Sequence, residues 1–206
     1  MRRKLSTILV GDIVSSTSQM EQSEEQAVRR FANCLQAVSE TVADHDGRVF
    51  NRAGDSVLAD FPSPVNAVRA AMAARGALAK VRDSAPTDMR FGLHLADVVE
   101  VEGDLRGDGV NIAARIQSAA DPGAIDTSHS VFDQVRRNSP CVFDDLGEKT
   151  FAGVSEPIRI FRVRNEITPF RMMRSEVRST ASPEKRPHSI AVARLVAANS
   201  ADPDQD

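Results

Sequence analysis

Apolar positions along the chain change their period in an order that predicts its elements. Residues 5–14, LSTILVGDIV, are a β-branched apolar run interrupted by Gly11-Asp12, the pattern of a buried strand that breaks at a functional edge. In EEQAVRRFANCLQAVSETVADHDG, Ala27, Phe31, Leu35, Val38 and Val42 recur every three or four residues, and Gly47 stands just past the end, which predicts an amphipathic helix. RVFNRAGDSVLADF predicts a hairpin turning at Ala53-Gly54-Asp55. Residues 64–81, PVNAVRAAMAARGALAKV, predict a second helix, with Ser63 as its cap and Pro64 in its first turn. MRFGLHLADVVEVEG, 89–103, alternates as a further strand pair would, and GVNIAARIQSAA, 109–120, predicts a third helix ended by Asp-Pro-Gly. AIDTS and PIRIFRV predict late strands with SVFDQVR as a short helix between them.

This order predicts an α+β fold, a ferredoxin-like βαββαβ sandwich with extra C-terminal strands. After Val163 the pattern weakens. RSTASPEKRPHS has the composition of a linker, and SIAVARLV, 189–196, predicts one more strand before acidic ADPDQD. The expected organisation is a domain over 1–165, a linker over 166–188 and, over 189–206, the start of a truncated second domain or a disordered tail.

Charge and composition remove several function classes. The chain has 206 residues, with 26 Lys+Arg against 29 Asp+Glu for a net charge of −3, and 4% aromatic residues with no Trp or Tyr. That balance argues against nucleic acid as a partner, and an RNA-reading sheet of the same topology fails on charge and on stacking residues. No run approaches the roughly 18 apolar residues of a membrane helix, and the basic start has too short an apolar core for a signal peptide. Cys34 and Cys141 stand far apart in no metal-like spacing, as reduced thiols of a cytoplasmic protein would.

The candidate chemistry lies in two acids. Asp12 ends the first predicted strand and Asp55 sits in the hairpin turn, and a ferredoxin-like sheet brings these strands side by side. Two carboxylates suit a hard divalent cation such as Mg²⁺, which takes one or two of them together with substrate phosphates. The loop VSSTS after Asp12 offers backbone N–H groups for a phosphate ahead of the long helix. Turn chemistry explains each acid singly, a metal pair explains both, and spacing does not choose.

ILVGDIVSST, NRAGDSVLADFPSPVNAV, GDLRGDGVNIAARIQSAADPGAI and DDLGEKTFAGVSEPIRIFRV, in this order over residues 5–163, resemble the catalytic domain of bacterial class III nucleotidyl (adenylate/guanylate) cyclases. The resemblance implies conversion of ATP to 3′,5′-cyclic AMP and pyrophosphate with two Mg²⁺ or Mn²⁺ ions per site. It implies metal binding by Asp12, Asp55 and the carbonyl of Ile13, with Ser16 and Thr17 in the phosphate-facing loop. Asn111 and Arg115 match the residues that orient the ribose and stabilise the transition state, and Asp104 matches a base-reading position. In that family the residues matched by Asn111 and Arg115 come from the protomer opposite the aspartates, which implies a homodimer with composite sites.

The chain departs from the family at two lysines. Asn51 stands where a lysine reads adenine; with Asp104 it keeps ATP as the expected substrate and leaves GTP as the alternative. Ala152 stands where a lysine holds the triphosphate, a loss of roughly 1.5–3 kcal/mol of phosphate binding, with Lys149 or Arg52 as replacements. The expected consequence is low affinity or turnover. The alternative function is a weak or inactive cyclase-homology module that acts as a dimerising regulatory domain.

Overall fold

The computed structural model describes residues 1–14, 16, 19–20, 23–81, 88–138 and 141–164, so the linker and second-domain expectations beyond 165 lie outside the described residues. The elements are β1 (Arg2–Ile13), α1 (Glu24–Asp44), β2 (Arg48–Ala53), β3 (Ser56–Phe61), α2 (Pro64–Leu78), β4 (Met89–Val101), β5 (Asp104–Arg106), α3 (Asp108–Ser118), β6 (Ile125–Ser128), α4 (His129–Val135), β7 (Phe143–Lys149) and β8 (Ile158–Val163). They form one mixed sheet in the order β2-β3-β1-β4-β6-β8-β7, with β5 paired to β4. Its first four strands are antiparallel neighbours, the ferredoxin-like arrangement, and β6, β8 and β7 are the additions.

Alternation along β1 divides the core between the two faces. Leu9 and Ile13 join the cluster of Phe31, Val38, Ala71 and other buried side chains of α1 and α2. Ile8 and Val10 join Val98, Leu105 and Ala113, beneath α3. α1 buries the predicted stripe of Ala27, Phe31, Leu35, Val38 and Val42, and Cys34 with it. Ser63 caps α2 by accepting from the Asn66 amide at 3.4 Å. α2 ends at Leu78, three residues before the predicted end at Val81.

Two expectations are corrected, and one strand is added. β1 does not break at Gly11-Asp12, since both residues pair with β3 on one side and β4 on the other. Gly11 is there for packing: a Cβ would stand 2.9 Å from the Phe91 ring and 3.2 Å from Val57. Residues 89–101 are one strand of 13 residues, and the partner is the short β5, reached through Glu102 (φ 53) and Gly103 (φ 85). The sequence pattern misses β7, because FDDLGEK is a polar strand at the sheet edge with no buried side chain.

Glycine also lets α3 lie unusually near the sheet. A Cβ on Gly92 would come 2.3 Å from the Gln117 amide nitrogen and 2.4 Å from the Ala113 carbonyl, and one on Gly109 would stand 2.2 Å from the Ala96 Cβ. Backbone cannot yield as a side-chain tip can, so Gly92→Ala is expected to push α3 off β4 and to cost about 3 kcal/mol, the upper end for overpacking. Urea unfolding measures this, and an unchanged midpoint would refute the close approach.

On the same strand, His94 contacts the Ser128 hydroxyl through Nδ1 at 2.9 Å, and burial pushes its imidazole down from 6.5 to about 4. The folded ring is therefore neutral at pH values where the unfolded ring takes a proton. Its stabilising contribution is complete above pH 6.5 and is lost as the pH falls toward 4, by roughly 3 kcal/mol in all. Urea titrations at pH 7, 5.5 and 4.5 should follow that slope, and His94→Gln should flatten it; equal slopes would sink the assignment.

Candidate functional site

The β1–β3 register brings the two predicted acids to one end of the sheet. Asp12 lies opposite Ser56, the residue after Asp55, and the Ile13 amide donates to the Asp55 carbonyl at 3.3 Å. All three predicted metal-site residues are thus tied through one backbone contact. Gly54 takes the left-handed conformation of the turn (φ 61) and Asp55 does not, so the turn places Asp55 without depending on its side chain.

Asp12 shares the β1 face of Ile8 and Val10, toward α3. Its Oδ1 accepts from the Ser56 hydroxyl at 2.6 Å, and its Oδ2 pairs with Arg90 Nη2 at 3.4 Å. Arg90, opposite Asp12 on β4, also donates from Nη1 to the Ser118 carbonyl at 3.5 Å, at the C-terminal end of α3, while its buried Nε has no partner among the described residues. Sequence reading missed both Ser56 and Arg90. Each stands directly across from Asp12 in the sheet, so the signal was the strand register rather than any local motif.

No group of three or more His, Cys, Asp or Glu side chains among the described residues converges to hold a metal. The donor set at this edge is two carboxylates and backbone carbonyls, all oxygen. That fits Mg²⁺ or Mn²⁺, which keep several positions for water and substrate phosphate, and does not fit a closed structural site.

Ser16 and Asp55 line a cleft of about 900 Å³ between α1 and the hairpin turn, walled by Val28, Phe31 and Leu35 and reached by Arg52. Ser16, Gln19 and Met20 are helical, and the Gln19 side-chain amide donates to the Val14 carbonyl at 3.1 Å. Thr17 lies outside the described residues. The long helix begins at Glu24, with Glu24 and Glu25 in its first turn.

The remaining predicted residues lie apart from the acids. Asn111 and Arg115 share the exposed side of α3, while Ala113 and Ile116 face inward. Neither predicted side chain makes a hydrogen bond or ion pair to a described residue. Asn51 follows a bulge in β2 that sets it opposite Leu58, and Asp104 opens β5 with its Oδ1 accepting from the Leu105 amide at 2.9 Å. Ala152 is an exposed turn residue before Gly153 (φ 76). Neither replacement cation faces Asp12. Arg52 sits opposite Val57, on the α1 face, and donates to the Ser39 hydroxyl at 2.6 Å; Lys149 ends the edge strand β7. The guanidinium that does face Asp12 is Arg90.

No protein-family model matches the chain. Over 166 residues it is 36% identical to "Putative adenylate cyclase 3" of Rhizobium meliloti (strain 1021), a match covering 78% of this chain and 28% of that relative. The chain therefore spans less than a third of that relative's length. Among solved structures it is similar to an adenylate/guanylate cyclase/hydrolase from Silicibacter pomeroyi, with 27% identity, a TM-score of 0.69, and 79% of this chain and 98% of that one covered. It also shares the fold of the adenylyl cyclase CyaB from P. aeruginosa, with 24% identity, a TM-score of 0.72, and 79% and 95% covered. No helix among the described residues is long and apolar enough to cross a membrane.

Proposed function

Because this chain belongs to the class III adenylate/guanylate cyclase family, we propose that it cyclises ATP to 3′,5′-cyclic AMP and pyrophosphate at sites shared between two copies of the domain. The observation that supports the reading is the Ile13–Asp55 backbone contact, which brings the backbone at Asp55 to the end of β1 that carries Asp12 and Ile13. Divalent cations bound there would neutralise phosphate charge and acidify the ribose 3′-hydroxyl.

The chain's own residues do the rest. Asp12 and Asp55 would hold the cations, and Ser56 and Arg90 hold the Asp12 carboxylate in place through a hydrogen bond and an ion pair. Ser16, which lines the cleft with Asp55, would contact the phosphates. Arg90 puts a guanidinium beside Asp12, a cation near the site despite Ala152. Arg115 of a second copy supplies the charge that matches the developing phosphorane, Asn111 holds the ribose, and Asn51 and Asp104 read the base by donating to N1 and accepting from the N6 amine.

Ala152 and Asn51 favour a second reading, a dimerising regulatory module that binds nucleotide weakly, with guanylate cyclase activity as a variant of the first. Incubation of concentrated protein with ATP or GTP in Mn²⁺, with mass-spectrometric detection of cyclic product, separates them. Cyclic AMP supports the adenylate reading and cyclic GMP the guanylate one. No cyclic nucleotide from a verified dimer overturns both in favour of the module.

A further inference from the structure

Near the start of β1, away from Asp12, the α3 face of the sheet carries a buried acid that the cyclase chemistry does not use. Asp60 is 5% exposed, and its carboxylate accepts from Lys4 Nζ at 2.7 Å, the Ser6 hydroxyl at 3.3 Å and Arg48 Nε at 3.0 Å. Glu100 pairs with Arg48 Nη1 at 2.9 Å and with Lys4 at 3.8 Å. Two cations and two acids on β1, β2, β3 and β4 thus balance one another across the sheet. Such a network costs desolvation and is weak evidence of stabilisation, so a different benefit is worth seeking.

Arg48 has one bond outside the balance. Its Nη1 also donates to the Gly103 carbonyl at 3.2 Å, in the turn from β4 to β5. That turn holds two consecutive left-handed residues, Glu102 and Gly103, and Asp104 follows at once. Asn51 stands three residues after Arg48, beyond the bulge between Val49 and Asn51. One guanidinium, itself locked by Asp60 and Glu100, therefore spans from the strand that carries Asn51 to the turn that carries Asp104.

We propose that Arg48 is a positioning residue for base selection, fixing the separation of Asn51 from Asp104 by bridging β2 to the Gly103 carbonyl. This rests on the reading of Asn51 and Asp104 as the base-contacting pair. A planar fork held by two carboxylates can serve Asp60, Glu100 and the carbonyl together, whereas a lysine ammonium is a point charge that can keep the Asp60 pair alone. With a neutral amide at 51 the choice between adenine and guanine depends on hydrogen-bond geometry rather than on charge. Loosening that geometry relaxes the choice.

The test compares wild type, Arg48→Lys and Arg48→Gln by kcat and KM for ATP and GTP in Mn²⁺. Displacement of a fluorescent ATP analogue by each nucleotide in Ca²⁺ gives a reading that needs no turnover. The Lys variant is expected to keep the wild-type unfolding midpoint, while its ATP-to-GTP selectivity moves toward one by about tenfold, the worth of one well-placed hydrogen bond. The change should lie mainly in KM, and the Gln variant should move the ratio in the same direction. A folded Lys variant with wild-type selectivity, or a wild type that does not discriminate, overturns the role of Arg48 and leaves the cyclase reading standing. A wild type that neither binds nucleotide nor forms product overturns the cyclase reading itself and this inference with it.

Discussion

Asp55→Ala is expected to leave a folded domain that makes no measurable cyclic nucleotide, a loss of about a thousandfold or more, or about 4 kcal/mol of transition-state stabilisation. The two halves of that expectation have separate physical grounds. The hairpin turn takes its left-handed residue from Gly54 (φ 61), and no described hydrogen bond ends on the Asp55 side chain, so alanine fits the backbone at 55. The unfolding midpoint should stay within about 2 °C of wild type, the scale of a surface substitution. The activity loss has the opposite origin, since Asp55 is one of the two carboxylates proposed to hold the cations, at the end of β1 where Ile13 contacts the hairpin turn. Asp55→Asn, which keeps the shape and removes the charge, should be nearly as inactive and should not recover at high Mn²⁺. Cyclic AMP formed by either variant near the wild-type rate would defeat the metal-pair reading and leave Asp55 a turn residue.

The contrast with Gly47 shows what sequence could and could not reveal. A glycine just past a helix suggests a left-handed cap, yet the left-handed residue is Asp46 (φ 59). Gly47 is needed because a Cβ there would stand 2.3 Å from the Phe61 ring, a neighbour 14 positions away in sequence and invisible to local pattern. Helices α1 and α2 were legible because their buried stripes repeat within a single element. The strand β4 was misread as a pair because alternation marks a face and says nothing about where a chain reverses. β7 was lost because an edge strand needs no apolar residues.

The candidate site divides along the same line. Asp12 and Asp55 were legible as unusual acids in apolar strands, and their neighbourhood follows from a topology that the helix and strand order already implied. Arg90 was not legible, because MRFGLHLADVV reads as an ordinary strand and its guanidinium acquires meaning only when the register sets it across from Asp12. Arg52 shows the reverse: its charge suggested a phosphate contact, but alternation in β2 turns it to the α1 face, away from Asp12.

Mixing two inactive variants should recover activity. Ala113 and Ile116 hold one side of α3 against the sheet, so Asn111 and Arg115 point away from it, and the body of the helix separates them from Asp12, which lies on the sheet itself. The proposed sharing of a site between two copies assigns the acids to one copy and Asn111 and Arg115 to the other. Arg115→Ala removes the exposed cation and is expected to cost about 10²–10³ in kcat, the usual worth of one transition-state donor. Co-expressed with Asp55→Ala, it should form mixed dimers as about half of the population, each with one intact site and one doubly damaged site. The mixture should then reach about a quarter of wild-type activity, far above either variant alone, as two-fold symmetry requires of composite sites. Recovery no greater than the sum of the two residual activities would place all the machinery within one copy and overturn the shared site.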